Sequence, residues 1–394
     1  MSKSNVRAFA LGVAALLLGG AAPASAQEII KLGLSVQLSG PAAVWGQGAE
    51  FMCKKAASEI AEAGGVTVGD KKYNFECVAY DNKYTAAEGT RVAQALLNRE
   101  GVKFIGGSLG TAPVQALQAL TERQGVLLFT SAWGSSIKGP NYPMTFTQLN
   151  TPNEILPSLI SYVTEHNPDA RSVLILNPND ASGQETVKVA ERVWKEKGIE
   201  ILAMDFYERG TTEFQPIAAR IASLNPDIAD LGTLPPSDAG AVFRELDVLG
   251  WKGTKVVAVG TGADALRATG GSAVEGVYMG LAITFDGDDV TEHQNAVNQE
   301  ARALLGESLN TIHIAYYDTV YALKTGIEAA QSVDPKEVAK ALPGVRFTSF
   351  YGGEIGFGGT EIYGSPQQMQ APVLVTQIQD GKLVELSRIA PKGN

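Results

Sequence analysis

A serine between two glycines follows a short apolar run, in the pattern Gly106-x-Ser108-x-Gly110. This is the spacing of a nucleophile elbow, a strand-to-helix turn that exposes a serine hydroxyl for acyl transfer. A hydrolase would also need a histidine, and His293 and His313 are available downstream. Neither has a supporting sequence context and no HGGG-like oxyanion segment is present. A serine hydrolase is therefore kept only as a remote alternative.

A second glycine pattern, Gly260-x-Gly262-x-x-Ala265, imitates the turn of a dinucleotide-binding fold. No acidic residue follows about 20 positions later at the end of a second strand, where that fold needs one. The candidate metal ligands are isolated aspartates on separate loops, without the spacing of a metal site. They are Asp180, Asp238 and Asp264. With only three His and two Cys, the sequence predicts neither a metal nor a cofactor.

The loops at the predicted strand ends favour binding of a small carboxylate over catalysis. They are rich in Gly, Ser, Thr and Asn, and several lead directly into helices, whose N-terminal N–H groups attract anions. Ser108 and Thr111 add hydroxyl donors. Trp45 and Trp133 are expected in these loops, where an indole would contact the apolar or aromatic body of a ligand. Ordinary turns and helix caps account for part of the same composition.

Strands that alternate with helices must position these loops. The alternation begins at Lys31, and a second series of the same kind starts after Thr151 and runs to Gly260. The pattern predicts two α/β units with parallel sheets, whose ligands bind beyond the carboxyl ends of the strands. After Gly344 a Gly-rich, strand-like tail cannot continue the series, so we expect it to complete first one unit and then the other.

The first 26 residues are predicted to be a cleaved export signal. Lys3 and Arg7 precede an apolar run over 8–22, and Ala24-Ser25-Ala26 supplies a small-residue cleavage site. No later apolar run approaches 18 residues, so no membrane insertion of the mature chain is expected. A net charge of −10 argues against nucleic acid and anionic lipid as partners, since both need basic surfaces.

Export changes the interpretation of the two cysteines, because the compartment beyond the membrane is oxidising. Cys53 falls on a predicted helix over 50–63 and Cys77 on the next predicted strand, and such elements pack together. We predict a disulfide between them, with two buried free thiols as the alternative.

A set of short motifs occurs in a fixed order along the chain. Segment 32–41 is followed by Trp45-Gly46, and the later motifs are Tyr80-Asp81-Asn82, Ile105-Gly106-Gly107, Thr130-Ser131-Ala132, Asn179-Asp180, Ser182-Gly183 and Ala315-Tyr316-Tyr317-Asp318. Together they resemble the periplasmic binding proteins for branched-chain amino acids, the Leu/Ile/Val-binding receptors of ABC transporters. The similarity covers essentially the whole chain after the signal.

The resemblance implies a two-lobed type I periplasmic binding fold, in which each lobe is a parallel-sheet α/β sandwich and three hinge crossings join the lobes. One lobe would combine residues 27–150 with 283–345, and the other residues 151–282 with 346–394. The lobes would enclose a ligand by hinge bending.

Carried over by position, the resemblance also implies ligand contacts. Thr111 falls where these receptors contact the carboxylate, Ala132 where they offer backbone groups, and Trp45 where an aromatic residue contacts the ligand. Ser182 falls where a tyrosine is frequent. Ser108 and Trp133 complete the expected contacts.

Two positions depart from the family pattern. Gly134 replaces a threonine that contacts the ligand, and Gly262 lies where the receptors place a glutamate that pairs with an ammonium group. Asp264 is the candidate replacement for that glutamate. A buried ammonium without a partner would be destabilised by several kcal/mol. The ligand therefore stays open between an apolar amino acid and an aromatic or other carboxylate without an ammonium group.

The function implied is that of a monomeric, non-enzymatic receptor in the periplasm, which delivers its ligand to a membrane permease. A ligand-sensing receptor of the same fold is the alternative.

Overall fold

The structure is a computed structural model that describes residues 27–40, 42–287 and 289–390. The predicted export signal, with its cleavage site after Ala26, lies outside these residues. The strands are β1 (Glu28–Val36), β2 (Val66–Val68), β3 (Lys71–Asp81), β4 (Phe104–Ser108), β5 (Leu127–Thr130), β6 (Thr145–Thr147), β7 (Ser172–Pro178), β8 (Glu200–Tyr207), β9 (Ile228–Asp230), β10 (Thr254–Val257), β11 (Tyr278–Met279), β12 (Arg346–Thr348), β13 (Glu354–Gly358), β14 (Gln368–Met369), β15 (Val373–Gln379) and β16 (Lys382–Ile389).

The helices alternate with the central strands. They are α1 (Ala43–Glu62), α2 (Ala86–Gln94), α3 (Thr111–Gln124), α4 (Pro152–His166), α5 (Ala181–Glu196), α6 (Gln215–Leu224), α7 (Pro236–Val248), α8 (Ala263–Gly270), α9 (Glu292–Leu305), α10 (Thr311–Ala330), α11 (Pro335–Ala341) and α12 (Thr360–Tyr363). In the described ranges, no helix combines the length and the apolar character that crossing a membrane requires.

The first sheet has the strand order β12-β13-β14-β6-β5-β4-β1-β3-β2. From β6 to β3 neighbouring strands run parallel, whereas β2 and β13 are antiparallel to their neighbours. Strand β4 is buried throughout, as a parallel strand covered on both faces should be. Helix α10 lies so close to it that a Cβ on Gly107 would be 2.1 Å from the ring of Tyr316.

The second sheet has the order β16-β15-β11-β10-β9-β7-β8. Strands β11, β10, β9, β7 and β8 are parallel, and β15 and β16 add an antiparallel edge. Within the described residues, three connections pass between the sheets: β6 to β7, β11 to β12, and β14 to β15. The predicted two-lobed α/β fold is confirmed.

The C-terminal tail differs from expectation. Residues 346–369 form β12, β13 and β14 of the first sheet, and only β15 and β16 join the second. The expected assignment of 346–369 to the second lobe is therefore wrong, because a short Gly-rich strand carries no local signal for the sheet edge that it joins. The remaining lobe boundaries stay a prediction.

The predicted disulfide is confirmed. Cys53 of α1 and Cys77 of β3 are bonded, with Cα atoms 6.3 Å apart. The bond fixes α1 to the first sheet beside β1, which pairs with β3 along its full length.

Candidate ligand-binding site

The strand ends of the two sheets face each other and are joined by hydrogen bonds between side chains. Trp45 Nε1 donates to Thr261 Oγ1 over 3.0 Å, and the hydroxyl oxygens of Thr111 and Ser182 lie 3.0 Å apart. In each pair the first residue comes from the first lobe and the second from the second lobe. Three of these four residues, Trp45, Thr111 and Ser182, were singled out by the sequence, and they lie at the interface between the lobes.

Trp45 lies in the first turn of α1 rather than in a loop, because α1 begins seven residues earlier than the pattern predicted. Gly46 makes this position available, since a Cβ there would be 1.9 Å from the carbonyl oxygen of Gln37 at the end of β1. The helix thus packs directly on the strand end and holds the buried indole against the second lobe.

Thr111 begins α3, directly after Gly110, whose φ of 89° is a left-handed conformation that favours glycine. A Cβ on Gly134 would lie 2.8 Å from the methyl carbon of Thr111. The methyl group of Thr111 thus occupies the space that a side chain at position 134 would need.

Ser108 is buried in the sheet, and its hydroxyl donates to the carbonyl of Phe129 over 3.1 Å. His313 bonds to the carbonyl of Val44, and burial lowers the pKa of this imidazole to about 4. His293 faces Glu59 instead. No hydrogen bond joins Ser108 to a histidine among the described residues, so a serine hydrolase triad is not assembled.

In the loop after β5, only one of the two backbone groups of Ala132 is available to a ligand. The N–H of Ala132 donates to Thr130 Oγ1 over 2.9 Å, which leaves its carbonyl as the backbone group available to a ligand. Trp133 is 6% exposed, and its Nε1 has no partner in the described structure.

Ser182, in the first turn of α5, contacts two residues of the first lobe, Thr111 and Tyr84. Its hydroxyl lies 3.2 Å from the Tyr84 hydroxyl. The guanidinium of Arg209 covers the Tyr84 ring, with 4.6 Å between its carbon and the ring centroid, and Arg209 also pairs with Asp180. Tyr84 thus brings an aromatic ring beside Ser182 at the interface between the lobes.

Asp264 lies near Glu307 and already has partners within the protein. Its carboxylate accepts from the N–H of Ser308 over 3.0 Å and lies within 4 Å of Arg302 and Arg267. Three partners already neutralise this charge, so Asp264 is a poor replacement for the missing glutamate.

Glu307 takes the space beside Gly262 instead. A Cβ on Gly262 would be 2.0 Å from Glu307 Oε1, so the glycine makes room for this carboxylate. Glu307 is 4% exposed, and Oε1 has no partner among the described residues. Burial, with Asp264 nearby, raises its pKa to about 7. A buried carboxylate therefore lies next to Thr261, the partner of Trp45.

The other aspartates have structural partners. Asp180 caps α5 through the N–H of Gly183, and Asp238 accepts from the hydroxyl of Tyr207 over 2.7 Å. Across the described ranges, no three His, Cys, Asp or Glu side chains are grouped so that they could hold a metal ion.

The sequence profile of the periplasmic binding protein family matches residues 29–382. The chain belongs to that family. It is thus a member of a family of solute receptors rather than of enzymes.

This periplasmic binding protein is 24% identical over 342 residues to the leucine-, isoleucine-, valine-, threonine-, and alanine-binding protein of Pseudomonas aeruginosa, covering 87% of this chain and 89% of that one. An R. palustris ABC transporter solute binding protein in complex with 4-hydroxybenzoate superposes with a TM-score of 0.76 at 23% identity, covering 93% and 98% of the two chains. A branched-chain amino acid transporter substrate binding protein of Streptococcus pneumoniae, in complex with isoleucine, superposes with a TM-score of 0.73 at 19% identity, covering 93% of this chain and 100% of that one. The two structural neighbours share the fold.

Several buried polar atoms of this periplasmic binding protein lie at the facing strand ends and have no hydrogen-bond partner in the described residues. They are Ser131 Oγ, Trp133 Nε1, Gln148 Oε1 and Nε2, Asn177 Nδ2, Arg209 Nη2, Glu307 Oε1 and Tyr316 OH. Buried polar groups in proteins are normally hydrogen-bonded, so these atoms are ones that a polar ligand could satisfy.

The interface residues that sequence reasoning missed include Tyr84, Gln148, Arg209, Thr261 and Glu307. Arg209 follows β8 directly, so the rule that sites lie at strand ends could have found it. Gln148 follows β6, a strand of three residues that is too short for its pattern to be visible. Glu307 lies between two helices and has no sequence signal.

Proposed function

We propose that the protein is an extracytoplasmic receptor of an ABC importer, which binds a small carboxylate between its lobes and delivers it to a membrane permease. The observation that carries the proposal is the set of buried, unpartnered polar atoms at the facing strand ends. The ABC transporter neighbour from R. palustris and the amino-acid-binding relative from P. aeruginosa support this role. Because contacts come from both lobes, a ligand there stabilises the closed arrangement.

The carboxylate of the ligand is placed beside Thr111. This residue is the first of α3, a helix of 14 residues, and the N-terminus of a helix carries a partial positive charge. The Thr111 hydroxyl can donate to a carboxylate once it is released from Ser182. Arg209, reached through Ser182 and Tyr84, adds positive charge on the same side of the interface.

The first candidate ligand is an apolar α-amino acid, and Glu307 favours it. An unpartnered buried carboxylate is stabilised by a cation, and the ammonium group of an amino acid would supply one. The Trp45 indole, which is bonded to Thr261 beside Gly262, would then cover the side chain of the ligand.

The second candidate is an aromatic carboxylate, which the two tryptophans favour. Trp45 and Trp133 are both almost fully buried at the interface and offer flat apolar surfaces. With a pKa of about 7, Glu307 can stay protonated and needs no cation in this complex.

Calorimetric titration of apolar amino acids and benzoates into the wild type and Glu307→Gln separates these candidates. If the ligand is an amino acid, it binds the wild type and the substitution weakens binding roughly 10- to 100-fold, the cost of losing a buried charged partner. If it is an aromatic acid, affinity changes less than about threefold. Glu337→Gln, on the exposed face of α11, is the matched control and leaves either affinity unchanged. Failure of every acid to bind at millimolar concentration would contradict the receptor proposal.

A further inference from the structure

Four side chains form a polar patch at the ends of three adjacent strands of the first lobe: Ser131, Trp133, Gln148 and Tyr316. Ser131 and Trp133 follow β5, Gln148 follows β6, and the Tyr316 ring covers Gly107 in β4. The strands β4, β5 and β6 are neighbours in the sheet. The N–H of Gln148 donates to the carbonyl of Thr130, which places Gln148 directly beside Ser131.

All four side chains of the polar patch are buried, with exposures of 2% for Ser131, 6% for Trp133, 1% for Gln148 and 0% for Tyr316. Within the described residues, Trp133 Nε1 and both ends of the Gln148 amide have no hydrogen-bond partner, and the hydroxyls of Ser131 and Tyr316 have none other than each other. Burial raises the pKa of Tyr316, so its hydroxyl stays protonated, with the Ser131 hydroxyl close enough to oppose the shift.

Neighbouring polar side chains are satisfied by the fold itself. Thr130 Oγ1 accepts from the N–H of Ala132 and donates to the carbonyl of Ser108, and the amide nitrogen of Gln118 donates to the carbonyl of Ile137 and to Thr145 Oγ1. The amide nitrogen of Gln118 thus has partners within the fold, whereas neither end of the Gln148 amide has one. A buried donor or acceptor that makes no hydrogen bond destabilises the folded state by about 1–3 kcal/mol. Several such groups side by side therefore favour a place where another molecule supplies the missing partners.

The chemistry of the polar patch defines what it could bind. It contains an amide, two hydroxyls and an indole N–H, so it can both donate and accept, and none of its groups is charged. The charged groups at the interface that have unpartnered atoms, Arg209 and Glu307, come from other segments of the chain. An uncharged polar group, such as a hydroxyl, matches the patch better than an ion.

We propose that the polar patch is a specificity subsite that hydrogen-bonds an uncharged polar group on the body of the ligand. The receptor then prefers a hydroxyl-bearing carboxylate to its apolar analogue of similar shape. This inference rests on the proposed function, which supplies the ligand, and it goes beyond that function by naming a feature of the ligand other than its carboxylate.

Two ligand pairs test the subsite by calorimetry on the wild-type protein. Threonine and valine differ by a hydroxyl in place of a methyl, and 4-hydroxybenzoate and benzoate differ by one hydroxyl. The subsite predicts that the hydroxyl member of whichever pair binds has a dissociation constant at least about 10-fold lower, because its analogue leaves the patch unpaired. Equal affinity within each pair that binds overturns the subsite but leaves the receptor function intact. Absence of binding by all four acids contradicts the receptor function itself.

Gln148→Met keeps the side-chain length and removes both polar ends. The preference for the hydroxyl member should then fall to within about threefold, chiefly because the apolar member binds more tightly. Gln94→Met, on an exposed position of α2, is the matched control and should keep the wild-type preference. If thermal unfolding shows that Gln148→Met does not fold, Trp133→Phe removes one donor of the polar patch and should reduce the same preference. A preference that survives in a folded variant at its wild-type size overturns the subsite.

Discussion

The indole N–H of Trp45 donates a hydrogen bond to the hydroxyl of Thr261 over 3.0 Å, and both side chains are buried. Trp45 lies on the helix that packs on β1 of the first sheet, whereas Thr261 follows β10 of the second. The bond therefore joins the two lobes, and under the proposed function it connects lobe closure to the surface that covers the ligand.

Trp45→Phe should weaken ligand binding by about 5- to 20-fold, because it removes a cross-lobe hydrogen bond and leaves the Thr261 hydroxyl without its donor. Thr261→Val should have a similar effect, and the double variant should be little worse than either alone, since both remove the same bond. Calorimetry on the three variants measures this coupling.

Trp251→Phe is the control for this prediction. Trp251 Nε1 donates to the carbonyl of Pro226 within the second lobe, so its loss should lower stability and leave affinity unchanged. Additive effects of Trp45→Phe and Thr261→Val would show that the two side chains act separately.

Glu307 should make stability depend on pH. Its pKa is raised from 4.5 to about 7, so between these values the native protein holds a proton that the unfolded chain has lost. The free energy of unfolding therefore receives a contribution from Glu307 that falls as pH rises through this window. Denaturant unfolding at several pH values should show that the free energy of unfolding falls less with rising pH in Glu307→Gln than in the wild type. Burial also raises the pKa of Asp318 to about 7. Asp318 is present in both proteins, so its contribution to the pH dependence cancels in the comparison.

Ligand binding supplies the matching test of Glu307. An ammonium group binds the ionised carboxylate, so the affinity of the wild type for an amino acid should rise with pH up to about 7, whereas Glu307→Gln should show no such rise. An identical pH profile in the two proteins would contradict the assignment of a raised pKa to this residue.

The contact between Arg209 and Tyr84 should hold the lobes together. Arg209→Gln removes the cation from the Tyr84 ring and the ion pair with Asp180, so we expect ligand release to accelerate by about 3- to 20-fold, to a similar extent for every ligand. Stopped-flow tryptophan fluorescence measures the release rate. Arg220→Gln, which breaks an exposed ion pair with Asp205 in the same lobe, is the control. A change confined to one ligand would assign Arg209 to specificity instead.

The disulfide should contribute to stability and not to binding. Cys53 and Cys77 are 24 residues apart in the sequence, and closing such a loop stabilises the folded state by about 3 kcal/mol on the chain-entropy model. The double substitution Cys53→Ala/Cys77→Ala should lower the free energy of unfolding in urea by that amount and leave ligand affinity unchanged. Reductant should destabilise the wild type but not the double variant; equal sensitivity of both proteins would contradict the prediction.

Local patterns were sufficient to predict the architecture. The alternation of strands and helices predicted two α/β units, and the Gly- and Ser-rich strand ends predicted the edge at which Thr111 lies, whereas Ser182 was implied by the family resemblance. Residues 346–369 were misassigned because strand pairing at a sheet edge is set by distant residues. The short strand β6 has too few residues for a visible period, which is why Gln148 was overlooked.

The details of the site depended on three-dimensional contacts. Sequence position favoured Asp264 as the missing acidic partner, but Ser308 and two arginines already hold its carboxylate. Glu307 lies more than 40 residues away along the chain and reaches the same place only because Gly262 leaves room. The hydrogen bond from the Ala132 N–H to Thr130 Oγ1 likewise depends on the rotamer of Thr130, which no sequence motif encodes.

Thermal unfolding of the wild type and Thr111→Val in the presence of apolar amino acids, hydroxylated amino acids and benzoates tests the central claim most directly. A ligand present at about 1,000 times its dissociation constant stabilises the folded state by about 4 kcal/mol. We predict that at least one of these carboxylates raises the unfolding temperature of the wild type and that the same acid has a much smaller effect on Thr111→Val. An unfolding temperature that no carboxylate changes, or an equal rise in both proteins, would contradict a carboxylate site between the lobes.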